Sequence, residues 1–85
     1  MKVVEVKWGD AWVDTEDFSL TDAKKLKPIV RSTIGFLITE NSEVVVLCTD
    51  FYEKDKKTIS TPIVIPRDMI IDYWEYETIP EGGKE

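Results

Sequence analysis

The stretch that most constrains this chain is Ile29 to Asp50, IVRSTIGFLITENSEVVVLCTD. Side chains alternate across a strand with a period of two. Val30, Ser32, Ile34, Phe36 and Ile38 therefore share one face, and Arg31, Thr33, Gly35, Leu37 and Thr39 share the other. The first set is mostly apolar and the second mostly polar, the pattern of a half-buried antiparallel strand. β-Branched residues dominate, and they suit a pleated surface better than a helix. Glu40, Asn41, Ser42 and Glu43 break the pattern with turn formers. The next run, Val44 to Cys48, is apolar on both faces, so it predicts a strand covered on each side. Gly35 sits in mid-strand, where glycine weakens pairing. It reads as a bulge or sharp bend of the kind that closes a small barrel, in preference to a ligand approaching the bare backbone.

The flanking segments extend this hairpin. Lys2 to Trp8 predicts a first strand with Val4, Val6 and Trp8 on one face; Gly9-Asp10 then signals a turn, after which Ala11 to Asp14 resumes a short strand. Thr15 to Pro28 holds the one place for a helix of about two turns. Ser19 would cap it, Asp22 would sit against its dipole, and Lys24, Lys25 and Lys27 would occupy its last turn. Pro28 ends it. Residues 51–58 form a charged loop or hairpin tip, and Ile59 to Ile65 predicts a fourth strand that Pro62 confines to an edge or makes irregular. Pro66-Arg67-Asp68 reads as one 3₁₀ turn and Met69 to Tyr76 as the last strand, with Trp8, Phe36 and Trp74 assigned to the core by alternation. The expectation is a mainly β domain with one short helix over residues 1–76, a small, strongly bent, five-stranded antiparallel barrel of the SH3-like or Sm-like kind. Residues 77–85 are expected to form a flexible tail.

Composition narrows the function classes. The 85 residues are 42% hydrophobic and 11% aromatic, which fits one folded domain with a thin margin of stability. No apolar run reaches the roughly 18 residues of a membrane span. The N-terminus turns polar too early for a signal peptide, and a single cysteine allows no internal disulfide, so a reducing cytoplasm is the expected location. Cys48 reads as a core residue, not a reactive thiol. The net charge of −6 disfavours nucleic-acid binding. Histidine is absent from the sequence, which excludes Ser-His-Asp chemistry and argues strongly against zinc. Nor is there a glycine-rich phosphate loop. No set of residues supplies both a nucleophile and a base, so the chain is expected to be no enzyme and to need no cofactor.

Candidate binding residues remain. Asp10, Asp14, Glu16 and Asp17 cluster around Trp12 but fit no cation-binding loop, and read as a solvated acidic surface. Arg67 could grip a phosphate or carboxylate with both nitrogens, or pair with a neighbouring acid and fix its turn, the reading preferred here. Tyr52 and Tyr76 lie at edges and loops, where exposed aromatics can form contact surfaces. Trp12, Asp14, Tyr52, Arg67, Asp68 and Tyr76 are thus the candidate surface.

Val6-Lys7-Trp8, Gly35-Phe36-Leu37, Val44 to Leu47 and Ile65-Pro66-Arg67, taken in order and spacing over residues 3–74, resemble small uncharacterised proteins of bacteriophages and prophages. The resemblance implies an Sm- or SH3-like barrel encoded by a mobile element and working in a bacterial host cell; it implies no activity. The chain departs from that pattern in its long charged 51–58 loop and its aromatic end, Tyr73 to Tyr76. The leading expectation is a non-enzymatic binding module that meets a protein partner, or its own copies through edge strands. The alternatives are an acidic inhibitor of a host defence or DNA-handling protein, and an oligomer that takes a small nucleotide using Arg67 and stacked aromatics.

Overall fold

The computed structural model describes residues 1–55 and 57–78. Among them the chain forms strands β1 (Lys2–Asp10), β2 (Ile29–Glu40), β3 (Val44–Cys48), β4 (Asp50–Phe51), β5 (Ile59–Ser60), β6 (Ile63–Pro66) and β7 (Ile70–Thr78). A single helical turn, α1 (Leu20–Ala23), lies between β1 and β2, and a 3₁₀ turn (Arg67–Met69) between β6 and β7. Five strands make one antiparallel sheet in the order β6-β3-β2-β1-β7, and β4 pairs with β5 in a small separate ribbon. β6 and β7 end the sheet on opposite sides. It is mainly β and antiparallel, as expected, but it is open and not a closed barrel.

The central hairpin forms where the alternation places it. Asn41 builds the turn: its side-chain oxygen accepts from the amides of Glu43 at 2.8 Å and Val44 at 3.0 Å. The face that points inward is the opposite of the expected one. β1 meets β2 in the register Val4↔Gly35 and Val6↔Thr33, and Val4 and Val6 are fully buried. Thr33, Gly35 and Leu37 therefore line the inside, while Val30 and Ile34 stand 56% exposed on the outside. Trp74 follows them outward beside Glu5 and is exposed, correcting its assignment to the core. Phe36, also on the outer face, is half-buried because Phe51 of the ribbon packs on it at 4.9 Å.

Gly35 explains the choice of face. A Cβ there would stand 2.6 Å from the carbonyl oxygen of Cys48. The missing side chain lets β3 close down over β2 on the core side. The bulge expected at Gly35 lies instead at Ile38, where the β2–β3 register shifts between Leu37 and Thr39. Val4, Val6, Val45, Leu47 and Ile65 make the core, with Trp8, Leu37, Ile63, Ile70 and Tyr73 packed against it. These residues belong to strands of one sheet. The sheet must curl for its own inner face to bury them, since no second layer of described residues covers it.

Other boundaries differ from expectation. β1 continues through Gly9 and Asp10, which pair with Val30 and Ile29, and Ala11 to Asp14 are not a strand. The helix is one turn, not two: Ser19 caps it by accepting from the Asp22 amide at 3.1 Å, and the lysines follow it instead of filling its last turn. The expected fourth strand is split at Thr61-Pro62, where Thr61 takes a positive φ of 53°. Ile59-Ser60 joins the ribbon and Ile63–Pro66 becomes the sheet edge. β7 runs on through Glu77 and Thr78, so the tail expected from 77 is strand at its start; residues 79–85 lie outside the described residues.

Candidate functional site

The eighteen residues between β1 and β2, Ala11 to Pro28, form an excursion from the end of the sheet. Its two limbs are pinned where they leave the strands. The Trp12 indole N–H donates to the Lys27 carbonyl at 2.6 Å, and the Arg31 Nε donates to Asp10 at 2.6 Å just below. None of the excursion's residues is buried. Between the limbs lies an open groove of about 420 Å³, lined by Trp12, Val13, Phe18, Leu26 and Pro28 together with Ala11, Asp14 and Lys27. Val13 is 88% exposed and Leu20, on α1, 81%. Apolar side chains in that state lose the free energy that burial would return, about 25 cal/mol per Å².

The six candidate residues do not form one surface. Trp12 and Asp14 share the groove. Asp14 turns its carboxylate to the Glu16 amide at 2.9 Å, and Asp10 is held by Arg31, so the acids around Trp12 do not converge. Among the described residues no group of acids and Cys48 could hold a metal ion. Arg67 sits elsewhere: its Nε donates to the Asn41 carbonyl at 2.7 Å, its amide to the Glu43 carbonyl at 2.8 Å, and a terminal nitrogen lies 3.4 Å from Glu40. It fixes the turn, the preferred of its two readings. Asp68 is exposed beside it. Tyr52 stands exposed at the ribbon's tip, where its amide donates to Thr58 at 3.2 Å. Tyr76 is exposed on β7 and its hydroxyl donates to Glu5, a bond that pushes its pKa up.

Tyr73 and Glu40 complete the Arg67 corner. The Tyr73 hydroxyl donates to Glu40 at 2.9 Å, and burial, with that bond and the carboxylate's charge, pushes its pKa up to about 12. Cys48 is buried, and burial followed by the charge of Asp50 raises its thiol pKa. Both shifts hold these groups in their neutral forms. Among the described residues no helix is long and apolar enough to cross a membrane.

Phe18, Leu26 and Pro28 were missed as site residues. Their signal was present: apolar residues inside an otherwise polar stretch, longer than the short helix expected there could bury. No protein-family model matches the chain, and neither does a curated protein or a solved structure.

Proposed function

We propose that the chain is a non-enzymatic binding module that assembles with its own copies through the free edge of its sheet. The observation that carries this reading is β7. It is nine residues long, ends the sheet and contains neither proline nor glycine, while carrying exposed Ile71, Trp74 and Tyr76. Among the described residues no strand pairs with its outer side, and an edge of that length offers backbone groups to another strand. The opposite edge is protected differently: β6 has four residues and Pro66 at its end. The sheet order and the 3₁₀ turn before the last strand also support a half-rolled relative of the SH3-like and Sm-like barrels. The resemblance noted above makes an accessory protein of a phage or prophage, working in the host cytoplasm, the matching biological setting. A nucleotide ligand is disfavoured because Arg67, the cation it would need, is committed to Asn41 and Glu40.

Size-exclusion chromatography with light scattering tests the reading. At micromolar concentration the 9.8 kDa chain should elute as an oligomer, and Ile71→Lys with Trp74→Lys should lower the mass, since edge lysines oppose strand pairing. A monomeric wild type, or no change in the double variant, overturns edge assembly.

A further inference from the structure

We infer that the Ala11–Pro28 excursion is a second interface, at which two copies of the chain meet about a two-fold axis independently of the β7 edge. The groove's apolar floor, Trp12, Phe18 and Leu26, is open to solvent at 37%, 43% and 45%. Its first limb is acidic, with Asp14, Glu16 and Asp17; its second is basic, with Lys24, Lys25 and Lys27. Among the described residues none of these six side chains makes an ion pair, within the excursion or with the sheet. The Trp12–Lys27 hydrogen bond holds the two limbs together at the groove, whose apolar strip is lined by one charge from each limb, Asp14 from the first and Lys27 from the second.

A two-fold contact requires a patch that complements itself. This one does. Rotating a copy by half a turn lays its lysine limb on the acidic limb of the other and its acidic limb on the other's lysines, with the two apolar floors face to face. A basic partner would answer only the first limb and leave the lysines opposed to like charge. A second copy answers both.

The test is made in the full chain carrying Ile71→Lys and Trp74→Lys, which removes edge pairing. That background should remain a dimer. Reversing the acidic limb (Asp14→Lys, Glu16→Lys, Asp17→Lys) should weaken self-association at least tenfold, and so should reversing the basic limb (Lys24→Glu, Lys25→Glu, Lys27→Glu). Mixing the two reversed chains in equal amounts should restore the dimer, because every limb again faces its opposite. Circular dichroism of each reversed chain, expected to match the parent, separates lost pairing from lost folding. A background that is already monomeric, or a mixture that stays monomeric while both chains are folded, overturns the inference and leaves edge assembly standing. A background dimer with the mass of the wild type supports the excursion and sinks edge assembly instead.

Discussion

Replacing Gly35 with alanine probes how closely β3 lies on β2. The added methyl would sit 2.6 Å from the Cys48 carbonyl oxygen, 3.3 Å from its carbon and 3.5 Å from the Leu47 Cβ. Non-bonded heavy atoms prefer roughly 3.5–4.0 Å, so the first two approaches are repulsive and the third is ordinary contact. The obstructing atoms are backbone within a strand, held by the ladder that pairs Phe36 with Cys48 and Leu37 with Leu47, and cannot swing away as a side-chain tip would. Forcing extra volume into such a place costs about 1–3 kcal/mol. Alanine returns about 0.5–1 kcal/mol by restricting the unfolded chain. At the middle of these ranges the expected net loss is about 1 kcal/mol, or a fall in Tm of roughly 4–8 °C for a domain of this size. Thermal unfolding followed by tryptophan fluorescence, at one fixed protein concentration, measures it. Gly9→Ala is the control, since its Cβ would meet only the Pro28 Cβ at 3.4 Å; it should keep the unfolded-chain term and be neutral to about 1 kcal/mol more stable. A Gly35→Ala protein as stable as wild type would refute the close approach, and with it the reason the β2 face turned inward.

Leu47→Ala, at a fully buried position, should cost about 2–5 kcal/mol, whereas Val64→Ala, 58% exposed on an edge strand, should stay within about 0.5 kcal/mol in a monomeric background; chemical denaturation compares them. Tyr73→Phe should lose about 1 kcal/mol by freeing Glu40 of its donor. The Tyr73 pKa is raised in the folded state, so its contribution is complete below the ordinary tyrosine value near 10 and fades as pH climbs towards about 12. Denaturation midpoints across that window should fall more steeply for wild type than for Tyr73→Phe, and parallel curves would contradict the assignment. Cys48 should resist alkylation at neutral pH in the native chain and react at the rate of an unfolded thiol in denaturant; fast native labelling would mean that the Cys48 strand end is open.

Periodicity made the strands legible and left their polarity open. Alternation from Val30 to Ile38 shows which side chains travel together, but not whether that set faces in or out. Gly35 decided the matter through a contact with Cys48, thirteen residues on, which no local pattern records. Pro62 did mark an edge, yet the break it makes with Thr61 divides one expected strand between a sheet and a ribbon. The cap at Ser19 was readable because it is local. The short length of α1 was not, because a helix extends on the strength of packing and none of the residues of α1 is buried. For the groove, Trp12 and Asp14 were visible as an aromatic among acids. Phe18 and Leu26 became its lining only once Trp12 had been tied to Lys27 across the excursion.

The Arg67 corner carries a practical consequence for anyone who would alter this molecule. Its amide and its guanidinium fasten the β2–β3 reverse turn to the point where the chain swings into β7, through Glu43, Asn41 and Glu40. That three-residue connection looks like a convenient exposed place for an epitope or a dye, but lengthening it would pull on the start of the last strand at the same time. The tip around Lys54 belongs instead to the small β4–β5 ribbon, which pairs apart from the five-stranded sheet and meets it where Phe51 packs on Phe36, so a cargo there is separated from the start of the last strand.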